Sequence, residues 1–322
     1  MKATIAELAD WIRARDDIAV LPHVSPDGDA LGATLALTLG LHKLHKRAAV
    51  ASADRVPAMY HFLPGLDWVR RPGALGFDPQ CLLFVDVASF DRAGDRGQLT
   101  GRVGDWAQID HHETNDGFAS VSMIDSEAPA SGVLALRLLD ELGVPIDRDM
   151  ATLLYAAIST DTGNFAYSNT TGEALRATAR LLETGFDIAD ANLRLFRMRT
   201  VARTRLLGKA LSGFELYSGG RVALTRLPQA MIDECGAEYP DSEGIINFLI
   251  EMEGVEVALT AEARDGGGST KFSLRSLGAV DVSAIAETFG GGGHVNAAGM
   301  SIDGPLDEAA ELALAAVRRA LP

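Results

Sequence analysis

Ile18-Ala19-Val20-Leu21-Pro22-His23-Val24-Ser25-Pro26-Asp27-Gly28-Asp29-Ala30 is the stretch from which the fold is read. Residues 18–24 form a short apolar run of buried-strand character. Ser25-Pro26-Asp27-Gly28 breaks the run, and a helix of small residues follows from Asp29 to about His45. Upstream, Ile5, Leu8, Ala9 and Ile12 fall at helical spacing. Downstream, residues 48–51, 81–87 and 106–109 are further strand candidates. Continuous apolar strands alternating with helices predict an α/β domain with a mainly parallel sheet, covered on both faces. Such sheets bind ligands beyond the carboxyl ends of their strands. The chemically suggestive residues lie there: residues 23–29, Asp86 and Asp110-His111-His112 each follow a strand.

From about residue 128 the pattern turns helical, with helices expected over 130–142, 148–160, 172–184 and 187–209. The last third reads as a smaller, mixed α/β domain. Its strands fall near 214–217, 222–227, 255–263 and 271–274, with turns at Ser218-Gly219-Gly220 and Asp265-Gly266-Gly267-Gly268. Helices are expected near 281–289 and 306–320. The expected organisation is a catalytic domain over 1–190, a helical linker over 191–212 and a second domain over 213–322.

The 322 residues are 47% hydrophobic and 23% charged, which excludes a disordered chain and suits two domains. The net charge of −15 disfavours coating of long nucleic acid or anionic membrane. Residues 191–209 run against this balance, with six basic residues and no acidic one. They are expected to form a basic helix, and 191–212 to act as a hinge. Cys81 and Cys235 are too few for a disulfide framework or a Cys-rich zinc site. Glu7 and Asp10 fall where a signal peptide would be apolar, and no run is long enough to span a bilayer, so a cytoplasmic protein is expected.

His23, Asp27 and Asp29 combine imidazole nitrogen with hard carboxylate oxygen, a donor set suited to manganese, magnesium or zinc. The same residues also suit an Asx-rich turn capping the next helix. Asp86 stands near the end of an apolar strand, where an unpaired carboxylate is costly. His111 and His112 are adjacent and diverge, so at most one joins the same metal pair and the other can face substrate. Asp161 follows an apolar helical stretch. Four clusters of hard ligands point to a binuclear metal site.

These segments resemble the motifs of the DHH phosphoesterase family. Residues 23–30, Val85-Asp86-Val87-Ala88-Ser89, Asp110-His111-His112 and Ser159-Thr160-Asp161-Thr162-Gly163 match its four motifs in order. Residues 290–299, Gly-Gly-Gly-Gly-His-Val-Asn-Ala-Ala-Gly, resemble the associated DHHA1 domain. The resemblance implies that His23, Asp27 and Asp86 hold one metal, and Asp29, Asp86, His111 and Asp161 the other, with Asp86 bridging. It implies manganese, a substrate-facing His112 and an Asp110 that orients the histidines. It also implies substrate contacts from Arg275 and His294. Gly290 to Gly293 can form an anion-binding nest of backbone N–H groups, which is why Gly291, Gly292 and Gly293 are counted with the substrate contacts.

The two-domain size looks most like the nanoRNase/pAp-phosphatase (NrnA-type) branch, whose members cleave very short oligonucleotides and 3′-phosphoadenosine 5′-phosphate. Two divalent ions about 3.5–4 Å apart can hold a bridging hydroxide for in-line attack, with no protein nucleophile. Hydrolysis of cyclic di-AMP or its linear product pApA is an alternative, as is a nucleotide-binding regulator without catalysis. Family II pyrophosphatases share the metal motifs but lack the Gly-rich His motif. The resemblance admits a homodimer. One departure is Ala166, where many relatives carry Arg after the Phe. The acidic balance then sets substrate size: the four aspartates contribute −4, which two divalent ions cancel, bringing −15 to −11. The remainder still disfavours long nucleic acid but admits a substrate of a few nucleotides.

Overall fold

The computed structural model describes residues 2–93 and 97–322 and divides into two compact units, Met1–Met198 and Arg199–Pro322. The first unit is built on six parallel strands: β1 (Ile18–Leu21), β2 (Ala48–Ala51), β3 (Val69–Arg70), β4 (Cys81–Val85), β5 (Trp106–Asp110) and β6 (Val121–Ile124). Its helices are α1 (Ile5–Arg13), α2 (Gly28–Lys43), α3 (Ser131–Glu141), α4 (Arg148–Asp161), α5 (Gly172–Leu182) and α6 (Ile188–Asn192). Strands β1 and β4 are fully buried because both faces are covered. Ile18, Val20, Leu83 and Val85 pack with the helices, while Ala19, Leu21, Leu82 and Phe84 pack under the short turns and loops that carry Leu75, Leu99 and Val103.

The strand order is β3-β2-β1-β4-β5-β6. The chain adds strands in one direction from β1 to β3, returns past β1, and adds the rest in the other direction. The reversal lies between β1 and β4, and there the loops leaving the carboxyl ends part and open a crevice.

The second unit contains α7 (Val201–Ser212), β7 (Glu215–Tyr217), β8 (Val222–Leu227), α8 (Gln229–Cys235), α9 (Ile245–Ile250), β9 (Val257–Arg264), β10 (Ser269–Ser276), α10 (Val282–Glu287), β11 (Gly292–His294), β12 (Ala297–Asp303) and α11 (Leu306–Ala320). Its mixed sheet runs β11-β12-β10-β9-β8-β7, with β8 and β9 parallel and the other pairs antiparallel. The basic stretch read as one helix is broken. Residues 191–198 end the first unit, and Thr200 caps a new helix by accepting from the Arg203 N–H. Helix α7 then buries Leu206 and Ala210 in a small core with Leu227, Ile232, Cys235 and Ile245. Among the described residues no helix is long and apolar enough to cross a membrane.

Helix α2 crosses α4 at two glycines. A Cβ on Gly32 would stand 2.3 Å from the Leu153 carbonyl oxygen, and one on Gly28 2.4 Å from Thr160 Oγ1. The first obstacle is backbone and cannot swing aside, so Gly32→Ala must push the helices apart. Overpacking of this kind costs about 1–3 kcal/mol. The thermal midpoint of the first unit should fall by about 5 °C on calorimetry; an unchanged midpoint would show that the crossing is looser.

Candidate metal centre

The sheet reversal places the loop after β1 beside the loop after β4. Asp27 caps α2, accepting from the Ala30 N–H at 3.0 Å through Oδ1. The capping and metal-binding readings of this turn are therefore compatible. Ser25, at φ +52°, donates its N–H to Asp54 Oδ2 at 2.7 Å, which pins the loop from the β2 side. Asp86 is also left-handed, at φ +61°, and 2% exposed.

Three overlapping donor groups converge here, one of them Asp86 with His111 and His112. His23, Asp27 and Asp86 present ligand atoms within 4.8 Å of one another, and so do Asp29, His111 and Asp161. Asp86 touches both through different oxygens: Oδ2 lies 3.6 Å from His23 Nε2, and Oδ1 lies 3.6 Å from His111 Nε2. His111 Nε2 is also 3.8 Å from Asp29 Oδ2 and 3.7 Å from Asp161 Oδ2. Donors sharing one ion at about 2.1 Å stand about 3.0–3.5 Å apart, so the histidine–carboxylate pairs at 3.6–3.8 Å lie within a few tenths of an ångström of ligating distance. Nitrogen and carboxylate donors without sulfur fit hard or borderline divalent ions.

Both candidate histidines are held in the tautomer a metal requires. His23 Nδ1 donates to the Val24 carbonyl at 2.7 Å and His111 Nδ1 to the Ala128 carbonyl at 3.2 Å, leaving each Nε2 toward the carboxylates. His112 is turned the other way. Its Nδ1 donates to Asp110 Oδ1 at 2.8 Å, which leaves Nε2 for something outside the cluster. Asp110 thus orients His112 alone and not both histidines as expected; the Ala128 carbonyl orients His111.

Several residues that the sequence reading passed over hold these groups. The Ser131 and Gly132 N–H groups, at the start of α3, bond the two oxygens of Asp29 at 2.7 and 2.8 Å. Ser131 Oγ donates to Asp86 Oδ1 at 3.0 Å. Asn115 donates to Asp110 Oδ2 at 2.6 Å and is itself held by Gln108. Asn169 donates to the Asp161 carbonyl at 3.1 Å. The bonds of Ser131 to Asp29 and Asp86 span 102 and 45 residues and leave no local signal in the sequence.

Burial and crowding decide the protonation of the cluster. Burial, then the charges of Asp86, Asp161 and Asp27, hold the Asp29 carboxyl well above the usual range. Burial and Asp27 raise Asp86. Burial, only partly offset by His111, pushes Asp161 up to about 6. The Asp110 hydrogen bond raises His112 to about 9. Burial opposes charge on His23 and Asp27 too, yet their mutual contact leaves His23 raised and Asp27 lowered.

In the second unit, Arg275 on β10 and His294 on β11 both stand in register with Ala297 of the intervening β12. They therefore share one sheet face, about 10 Å apart at two strand spacings. That face is opposite to the buried Leu274 and Ala298. The glycine run is built differently from the expected nest. The Gly290 and Gly291 N–H groups are spent on the Glu287 and Ala286 carbonyls at the end of α10, and Gly292 and Gly293 enter β11. Close strand approach requires these glycines: a Cβ on Gly291 would lie 2.3 Å from the Gly299 oxygen, and one on Gly293 2.4 Å from that of Ala297.

Comparison with known proteins agrees with this division. The family model described as "DHH family, N-terminal domain" matches residues 17–158, and that of the DHHA1 domain matches 222–321. The chain is 36% identical over 305 residues to the bifunctional oligoribonuclease and PAP phosphatase NrnA of Thermus thermophilus, covering 94% of this chain and 90% of that protein. It is 24% identical over 299 residues to the Bacillus subtilis protein of the same name, covering 92% of each. An exopolyphosphatase-related protein from Bacteroides fragilis superposes with a TM-score of 0.91 at 26% identity, over 98% of this chain and 95% of that one.

A carboxyl raised on folding binds its proton more tightly in the native chain than in the unfolded one. Asp161 therefore favours folding fully below the ordinary carboxylate value of about 3.9, and this is lost as pH rises through about 6. His112 acts in the same direction, its contribution fading only through about 9. Chelator-treated protein should melt about 5 °C higher near pH 5.5 than near pH 7.5, and saturating divalent cation should remove the difference. A metal-free midpoint that instead rises with pH over this window would contradict the electrostatics.

Proposed function

The chain belongs to the DHH family, with a DHHA1 domain behind its catalytic one, and from that premise we propose that it is a metal-dependent hydrolase of short oligoribonucleotides and of 3′-phosphoadenosine 5′-phosphate. The observation that carries this reading is Asp86, which turns one carboxylate oxygen to each of two donor groups. In the proposed assignment His23, Asp27 and Asp86 hold one ion and Asp29, Asp86, His111 and Asp161 the other, with manganese as the metal. Two such ions would neutralise phosphoryl charge and make a water nucleophilic near neutral pH.

The residues of the chain supply the rest. The N–H groups of Ser131 and Gly132 fix Asp29, and Ser131 Oγ fixes Asp86, so these donors keep their place before any ion arrives. The hydrogen bond to Asp110 raises His112 toward its protonated form and leaves Nε2 to donate. During hydrolysis the water gives up one proton to solvent, its oxygen forms the new bond to phosphorus and the bond to the leaving oxygen breaks. That oxygen takes its proton from His112 Nε2. Asp110 stabilises the imidazolium and is itself held by Asn115. Arg275 and His294 offer a guanidinium and an imidazole from one sheet face to a substrate phosphate. The net charge of −15 disfavours long polyanions and leaves substrates of a few nucleotides.

A panel of pAp, pApA, RNAs from dinucleotide to hexanucleotide, cyclic di-AMP and pyrophosphate tests the assignment. Hydrolysis of pAp and the short RNAs with manganese, abolished by chelator, is expected. Turnover of pyrophosphate alone would overturn it. His112→Ala should lower kcat by about a hundredfold or more while manganese still binds; full turnover would remove His112 from proton transfer.

A further inference from the structure

Directly after Asp161 the backbone makes a left-handed hook. Gly163, Asn164 and Phe165 have φ of +56°, +54° and +66° in succession. Glycine adopts this freely and asparagine tolerates it, but an aromatic residue does so only when its surroundings compel it. Here they do. The Asn164 N–H bonds the Ser159 carbonyl at 2.6 Å, and the Ala166 and Tyr167 N–H groups both bond the Thr162 carbonyl at 3.0 Å. Asn164 Oδ1 accepts from Asn192, and Phe165 packs against the core beside Tyr155. Strain that is held this firmly tends to serve a site.

The hook presents Tyr167. A Cβ built on Gly163 would lie 2.5, 2.5 and 2.6 Å from its Cε1, Cζ and Cδ1. A point equidistant from three consecutive ring atoms lies over the ring centre, so one face of the tyrosine rests on Gly163. The residue is nonetheless 58% exposed, and its hydroxyl has no partner among the described residues. A ring backed on one face and open on the other, two residues before the Asn169 that bonds Asp161, is built to receive a flat group.

We propose that Tyr167 is the stacking platform for the nucleobase of the nucleotide whose phosphate is hydrolysed at the adjoining cluster. This rests on the phosphoesterase reading above and adds a base contact to it. Neighbouring Ala166 offers no charge, so the hook contributes an aromatic face and not a cation. Stacking tolerates any base, because every base has a π-face. The platform therefore favours nucleotides over bare phosphates without choosing among sequences.

The test compares KM and kcat of wild type, Tyr167→Leu, Tyr167→Phe and Tyr167→Trp on pApA and on its abasic analogue. Leucine should raise KM for pApA about tenfold or more with little change in kcat, phenylalanine and tryptophan should restore it, and KM for the abasic analogue should not respond. An unchanged KM for pApA in the leucine variant, or an equal loss on the abasic analogue, would overturn the platform. If wild type cleaves no dinucleotide, the phosphoesterase reading fails separately, and the platform is then judged by calorimetric affinity for AMP against ribose 5-phosphate. A wild-type preference for AMP lost with leucine supports it; no preference in wild type, or one kept with leucine, refutes it.

Discussion

Negative charge gathered in a place water barely reaches is the constraint around which the first unit is arranged. Asp29 and Asp86 are 1% and 2% exposed, and the more open Asp27 and Asp161 each join one of the donor groups around them. Like charges in a low-dielectric site repel strongly, and each buried carboxylate has also lost its hydration. Protons relieve part of this, as the raised Asp29, Asp86 and Asp161 show. Divalent cations relieve it more completely, and that links fold, metal and chemistry in the proposed account.

The fold sustains such crowding through the position of the site. The reversal between β1 and β4 opens a crevice at the carboxyl ends of two fully buried strands. Backbone donors from a third element, the start of α3, reach across and grip Asp29. The gripping groups cannot rotate away, because their positions are those of the helix itself. Close packing of α2 on α4 through Gly28 and Gly32 keeps Asp27 and Asp29 at one end of α2 near Asp161 at the end of α4.

Much of this was legible in the sequence. The apolar runs of β1, β4 and β5 and the hard ligands after them identified a parallel sheet and a site at its strand ends. Strand order was not legible, because it depends on pairings between residues far apart, so the reversal beside residues 23–29 and Asp86 was invisible. The role of Ser131 was hidden for the same reason, its partners lying 102 and 45 residues away, whereas Asn115 and Asn169 bond residues five and eight positions away through loop geometry that residue types alone do not encode. The glycine run misled in a physical way: consecutive glycines suit both an anion nest and a close strand crossing, and only the partners of their N–H groups tell which. The break at Thr200 was obscured because the arginines around it, Arg199 and Arg203 among them, favour helix on both sides.

The central claim is that Asp86 joins two metal sites through separate oxygens. Equilibrium dialysis against manganese, counting ions bound per chain in wild type, Asp161→Asn and Asp86→Asn, tests it most directly. Two ions in wild type, one retained tightly in Asp161→Asn, and both weakened together in Asp86→Asn are the predicted results. An Asp86→Asn protein that still binds two manganese ions at wild-type affinity would contradict the account.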